Sequence, residues 1–202
     1  QICAFIGHNG AGKTTTLKAI AGIITFDKGT IEVNGVDVVK NPFEAKAQIA
    51  YLPDNPDLYE HLKGIDYLNF IADVFNLSSQ ERKDRIEYYA KKLEIYNDLS
   101  SLISSYSHGM KQKLALVSAL IHNPKLLLLD EPFVGLDPIS SYQFKLILQD
   151  LANIGVTIFY STHVLDVAEK ICTHVAIIKN GKLIVHDTME KVKGMDSLEN
   201  IF

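Results

Sequence analysis

The chain has 202 residues, 47% of them hydrophobic and 22% charged, with a formal net charge of -4. That length suits one domain, or one domain with an inserted subdomain, and the composition allows a sizeable core. The acidic balance, with no positive cluster longer than Lys111-Gln112-Lys113, speaks against a nucleic-acid ligand, whose phosphates call for clustered Lys and Arg.

No apolar run reaches the roughly 18 residues needed to span a bilayer, and no signal peptide is visible. Any membrane connection is therefore expected to go through a partner. Cys3 and Cys172 sit in apolar stretches without a CxxC spacing. They read as buried free thiols in a reducing compartment.

In chain order, Ile2 to Ile6 is short and apolar, as buried parallel strands are. The chain thus opens inside a core strand, and further residues are expected upstream of Gln1. Gly7 to Gly12 is a glycine-rich turn. Leu17, Ile20 and Ala21 follow at helical spacing, with Gly22 as a C-cap. Ile31-Glu32-Val33 alternates and meets Asn34-Gly35, a hairpin signal. Ile49 to Leu52 is another short strand, closed by Pro53. Ser78-x-x-Glu81 is a capping box, and behind it Ile86, Tyr89, Ala90 and Leu93 share one helical face. From about Leu58 to Tyr106 there are helices and polar connections but no strand.

Leu126 to Leu129 returns to buried strand. Pro138 fits the first turn of a helix whose apolar face includes Ile147, Leu151 and Ile154. Val156 to Tyr160 is a strand, Leu165 to Ile171 a helix and Val175 to Ile178 a strand. Asn180-Gly181 turns the chain into Leu183-Ile184-Val185. This alternation predicts an α/β domain with a mostly parallel sheet and an inserted helical subdomain. The expected divisions are residues 1–57 as the first part of the core, 58–106 as the helical subdomain, 107–187 as a helix followed by the second part of the core, and 188–202 as a tail.

Gly7-His8-Asn9-Gly10-Ala11-Gly12-Lys13-Thr14 matches GxxxxGK[ST] in full, between a predicted strand and a predicted helix. Glycines let backbone N–H groups curve around phosphate oxygens, and the helix N-terminus adds partial positive charge. The candidate nucleotide-binding residues here are Gly7, Asn9, Gly10, Gly12, Lys13, Thr14 and Thr15. Lys13 would reach the β- and γ-phosphates, and the Thr14 hydroxyl can ligate Mg²⁺. His8 reads as incidental to this chemistry. About 115 residues downstream, the apolar Leu126-Leu127-Leu128-Leu129 ends in Asp130-Glu131. Ligands of parallel α/β sheets bind beyond the carboxyl ends of strands. Asp130 is therefore expected near Mg²⁺, and Glu131 near the γ-phosphate, where it could polarise an attacking water.

Ser107-His108-Gly109-Met110-Lys111-Gln112-Lys113 precedes the apolar helix Leu114 to Leu120. It resembles the signature motif of the ABC ATPase family, in a variant form seen in many transporters of the ABC-2 type. The common form reads LSGGQ. Here Tyr106 replaces Leu, His108 the first Gly and Met110 the Gln, while Ser107 and Gly109 are kept. Gly135-Leu136-Asp137 is similar to the family's D-loop, and Ser161-Thr162-His163 to its switch histidine. The resemblance extends over essentially the whole chain.

The resemblance implies an ATP-binding and ATP-hydrolysing subunit that drives transport across a membrane. Two such subunits, identical or closely related, would pair head to tail. Each ATP would lie between the phosphate loop of one copy and the Ser107, Gly109 and Asp137 of the other. Glu131, His163 and Lys13 would be the catalytic residues. A transmembrane permease would be the second partner, docking near Asn55 to Leu62, with the subunit peripheral on the cytoplasmic face of the cell membrane. ATP and Mg²⁺ are the implied cofactors. The family's usual Gln after the Ile49–Leu52 strand is replaced by Asp54, a candidate metal residue reaching Mg²⁺ through water. The family's adenine-stacking aromatic lies upstream of the phosphate loop, so it is expected before Gln1. The alternatives are a soluble ABC ATPase acting on ribosomes or DNA, which usually carries two cassettes or a long coiled coil, and an unrelated P-loop enzyme such as a nucleotide kinase. The signature segment disfavours the last.

Overall fold

The computed structural model describes residues 1–163 and 165–195. In chain order the elements are β1 (Ile2–Ile6), α1 (Lys13–Ile20), β2 (Glu32–Val33), β3 (Val36–Asp37), α2 (Pro42–Ala47) and β4 (Ile49–Leu52). There follow α3 (Gly64–Val74), α4 (Ser79–Lys92), α5 (His108–Leu120), β5 (Leu126–Asp130) and α6 (Pro138–Asn153). The chain closes with β6 (Thr157–Thr162), α7 (Leu165–Ile171), β7 (His174–Lys179), β8 (Lys182–Thr188) and α8 (Met189–Met195). The chain forms two compact units.

The first unit comprises Gln1–Asp54, Lys125–Pro132 and the stretch from Ile147 onward. Its sheet has the order β4-β5-β6-β1-β7-β8, parallel throughout except for the antiparallel β7–β8 pair. Strands covered on both faces need apolar residues at every position. Leu127, Leu128 and Leu129 of β5 are accordingly fully buried, as are Ala4 and Ile6 of β1. Asn34-Gly35 and Asn180-Gly181 both place two consecutive residues at positive φ, as a type I′ hairpin turn requires. One face of the sheet packs Leu17 and Ala21 against Val33, Val38, Ala45, Ile49 and Leu128. Phe5 points into the core and stacks on Phe159, with centroids 4.9 Å apart.

The second unit comprises Asn55–Pro124 and Phe133–Leu146. It holds α3, α4 and α5 and the start of α6, with no named strand among its described residues. The capping box forms at the start of α4: the Glu81 amide donates to Ser78 Oγ at 3.3 Å, and the Ser78 amide donates to Glu81 Oε2 at 3.1 Å.

Two expectations are corrected. Ile147 and Leu151 are buried on α6, but Ile154 is 78% exposed. The helix ends at Asn153, so Ile154 leaves the periodic face just before Gly155 turns the chain at a φ of 96°. The two cysteines are free, as expected, but only partly buried. Burial still raises the Cys3 thiol to about 11 and the Cys172 thiol to about 12, so both stay protonated and inert near neutrality. No helix among the described residues is long and apolar enough to cross a membrane.

Candidate active site

β1 lies between β6 and β7, and its carboxyl end feeds directly into the glycine-rich turn. Register brings the neighbouring strand ends level with it: Ile6 pairs with Thr162, and Asp130 with Ser161. Residues far apart in sequence thus meet at one edge of the sheet.

The turn can be tight because Gly7 has no side chain. A Cβ there would stand 2.7 Å from the Ile178 carbonyl oxygen. From α1, Lys13 folds back over the turn. Its Nζ donates to the carbonyl oxygens of Gly7 at 2.6 Å and His8 at 3.4 Å, and lies 3.9 Å from Glu131 Oε1. This side chain is buried, as Lys rarely is unless paired, and Glu131 supplies the opposite charge.

Thr14 Oγ1 donates to Asp130 Oδ2 at 2.7 Å. The other carboxylate oxygen of Asp130 accepts from Ser161 Oγ. Glu131 has a φ of 48°, a left-handed conformation uncommon for a residue with a side chain. Its amide is held by Ser161, donating to both the carbonyl oxygen and Oγ at 3.2 Å. Its Oε1 lies 2.8 Å from His163 Nδ1. A cavity of about 280 Å³ opens on this network, lined by His8, Asn9, Gly10, Gly12, Lys13, Thr14, Thr15, Asp54, Asp130 and Glu131. A triphosphate entering it would meet backbone amides, one ammonium and a strand-end acid pair.

Ser107, Gly109 and Asp137 belong to the second unit. Ser107 caps α5, its Oγ accepting from the Met110 amide at 3.2 Å. Asp137 Oδ1 accepts from the Ser140 amide at 2.9 Å, and the Ser140 hydroxyl donates to the same carboxylate. These bonds, the hydroxyl first, lower the pKa of Asp137. Lys113 Nζ stands 3.9 Å from it. The signature helix and the Gly135–Asp137 loop therefore form one local cluster.

Sequence reasoning passed over two residues of the first unit. Ser161, read only as part of the switch segment, bonds to both Asp130 and Glu131. Tyr51 reads in the sequence only as strand, and its hydroxyl is buried without a hydrogen-bond partner among the described residues. Strand register could have flagged Ser161 once β5 and β6 were paired, but pairing is not visible in sequence.

The geometry defines a P-loop ATPase core, and the comparisons narrow the class. The family described as ABC transporter matches residues 1–134. An uncharacterised ABC transporter ATP-binding protein of Methanocaldococcus jannaschii, MJ1023, is 37% identical over 99% of this chain and 73% of its own length. The ABC transporter ATP-binding protein NatA of Bacillus subtilis is 33% identical over 100% of this chain and 82% of its own length. A solved structure of an ATP-binding subunit of an ABC transporter superposes with a TM-score of 0.94 at 33% identity, covering 100% of this chain and 86% of that one. The chain belongs to the ABC transporter family. It binds and hydrolyses ATP and serves a membrane transporter as its ATP-driven subunit.

Proposed function

We propose that the Lys13, Thr14, Asp130, Glu131 and His163 constellation is the hydrolytic half of a composite site completed by a second copy. The observation that carries this is the Thr14–Asp130 hydrogen bond beside the Glu131–His163 contact, on one cavity. Lys13 now rests on two carbonyl oxygens; a β,γ-phosphate gives its ammonium a stronger partner. Glu131 Oε1 accepts the proton of an attacking water, and His163 orients that carboxylate and faces the γ-phosphate. Glycine-rich amides of the turn, from Gly7 to Gly12, with Asn9 and Thr15, hold the remaining phosphate oxygens.

The donor set suits Mg²⁺. Thr14 and Asp130 supply hard oxygens, Asp54 stands on the same cavity, and Mg²⁺ takes one or two carboxylates plus phosphates and water rather than a full protein cage. Thr14 and Asp130 would hold the ion directly, and Asp54 through water. Bound there, it would neutralise charge building on the phosphate oxygens.

Ser107 and Gly109 present a helix start suited to an anion, with Asp137 near Lys113 of the same helix. In this reading they take the γ-phosphate bound by the other copy, so ATP holds the pair together and hydrolysis releases it. The permease would dock on the second unit, where Tyr59, Phe70 and Val74 are 49%, 45% and 58% exposed. Tyr59 clusters there with Tyr67 and Phe70, at centroid distances of 6.0 and 5.8 Å. The subunit then sits peripherally on the cytoplasmic face of the cell membrane. The acidic balance gives no support to a nucleic-acid partner.

Glu131→Gln tests the reading. The variant keeps Lys13, Thr14 and Asp130, so ATP affinity stays near wild type, while turnover falls on the order of 10²–10⁴-fold. Size-exclusion chromatography with ATP should show trapped dimers. Wild-type steady-state hydrolysis in this variant would remove Glu131 from the mechanism.

A further inference from the structure

The β7–β8 hairpin lines no part of the phosphate cavity, yet its tip is bonded to the loop that does. The Gly181 amide donates to the Ala11 carbonyl oxygen at 3.0 Å. Ile178, near the end of β7, packs in the same place, in a buried cluster with Phe5, Ala11 and Ala176. A Cβ on Gly7 would stand 2.8 Å from Ile178 Cγ2. One on Gly12 would stand 3.5 Å from Ile178 Cδ1 and 3.9 Å from Gly181 Cα. The hairpin therefore lies along the loop at Gly7, Ala11 and Gly12. Its strands are irregular just ahead of the tip. Ile177 pairs with Val185 but Ile178 with Leu183, which leaves Ile184 over as a β-bulge. A bulge of this kind bends and twists its strand.

The cavity lies on the other side of the loop. Gly10 and Gly12 line it, whereas Ala11, Ile178 and Gly181 do not. The peptide joining Ala11 to Gly12 spans the two sides. It is trans and planar, so its C=O and N–H point in opposite directions. With the carbonyl oxygen fixed on Gly181, the Gly12 N–H is aimed away from the hairpin, toward the cavity. This tie has a purpose that the loop's own sequence cannot serve. Ala11 stands between Gly10 and Gly12, at φ of 81° and 109°, and glycines on both sides leave a peptide free to turn. An amide held from behind binds an anion without that reorganisation.

We propose that the β7–β8 hairpin is a positioning element for the phosphate loop, the Gly181 amide holding the Ala11–Gly12 peptide so that the Gly12 N–H meets a phosphate oxygen. The hairpin acts only through the loop and touches no nucleotide itself. This rests on the phosphate-loop reading of Gly7 to Gly12 and Lys13.

The Asn34-Gly35 turn supplies a matched control. Gly35 and Gly181 each follow an Asn in a tight hairpin, at φ of 79° and 74°, and a Cβ at either meets nothing within 4 Å. Alanine therefore carries a similar backbone penalty at both positions. Proline breaks both turns and removes the amide hydrogen. Neither Asn34 nor Gly35 lines the phosphate cavity. Thermal midpoints, MgATP and MgADP affinities and steady-state hydrolysis are measured for Gly181→Pro, Gly35→Pro, Gly181→Ala and Gly35→Ala, with Lys13→Ala beside them. Gly181→Pro should lose about three- to ten-fold in affinity for both nucleotides, the worth of one oriented hydrogen bond. Its KM for ATP should rise by a like factor. Its kcat at saturating ATP should stay within about two-fold, because the amide holds the phosphate equally in ground and transition states. Gly181→Ala strains the turn but keeps the donor, so its loss should be smaller, and it carries the comparison if the proline variant does not fold. Both Gly35 variants should bind nucleotide as wild type does. Gly181 variants that bind no more weakly than their Gly35 counterparts, while Lys13→Ala loses affinity, would overturn the role of the hairpin alone. Equal losses at both turns, following the fall in thermal midpoint, would mark the hairpin as structural only. Wild-type ATP affinity in Lys13→Ala would overturn the phosphate-loop reading and this proposal with it.

Discussion

Ser161 is wholly buried at the end of β6, with its hydroxyl donating to Asp130 and accepting from the Glu131 amide. That single side chain sets the carboxylate of Asp130 and helps hold Glu131 at its left-handed φ of 48°. Local strain of this kind persists only where surrounding bonds over-determine it. Ser161→Ala leaves a carboxylate oxygen and an amide with one partner fewer. We expect a loss of about 1–3 kcal/mol in urea unfolding, the cost of a broken buried hydrogen bond. Turnover should fall more than ATP affinity, because Lys13 and the glycine-rich amides do not depend on Ser161. Wild-type stability and turnover would show that the hydroxyl carries neither role.

In the second unit, the element that matters is the N-terminus of α5 with the loop leading into α6. A Cβ at Gly135 would come within 2.6 Å of the His108 ring, and Gly135 also has a φ of 81°. The loop accordingly has two independent reasons to carry glycine. The His108 ring thus lies close to Gly135, and Lys113 stands 3.9 Å from Asp137, so the loop lies against the signature helix at two points. Gly135→Ala is expected to shift the loop and to reduce ATP-dependent pairing sharply, with a backbone penalty of about 1–2 kcal/mol. The double variant His108→Gly with Gly135→Ala removes the clash but not the φ penalty. It should recover part of the pairing, as read by light scattering with ATP in the Glu131→Gln background. No recovery would assign the whole effect to backbone strain. The His108 that departs from the common signature is thus matched by a neighbour that makes room for it.

At the scale of the whole molecule, Ser107 and Lys13 lie in different compact units, and in the proposed composite site each would bind a phosphate. The pairing of two copies gives both a reason. Ser107→Arg would fill the proposed anion site at the start of α5 and leaves the residues of the phosphate loop unchanged. Affinity of the single copy for ATP should stay within about two-fold of wild type, well under the tenfold that 1.4 kcal/mol represents. ATP-dependent dimers should be absent on a sizing column. A collapse of affinity with pairing preserved would contradict the composite site.

The phosphate loop, the acid pair and the hairpin turns were legible in the sequence because their chemistry is local. GxxxxGK[ST] needs its glycines and Lys13 within eight positions, Asn-Gly turns need two adjacent residues, and the Ser78–Glu81 box needs four. The alternation of apolar runs with helical periodicity likewise announced a mostly parallel sheet, since burial on both faces leaves no polar position in β5 before Asp130 at its carboxyl end. Tertiary structure alone decided the strand order, which sets β1 between β6 and β7 across some 150 residues of chain, a separation no short-range pattern encodes. It also decided which side chains share an edge. Ser161 meets Asp130, 31 residues away, through register, and the Tyr51 ring packs against the cluster under α1 with its hydroxyl bonded to no described residue. Ile154 reads as core by period and lies in solvent, because the helix stops one residue before it. Periodicity reports what a segment would bury if it continued, whereas its end is set by Gly155 and the strand that must follow.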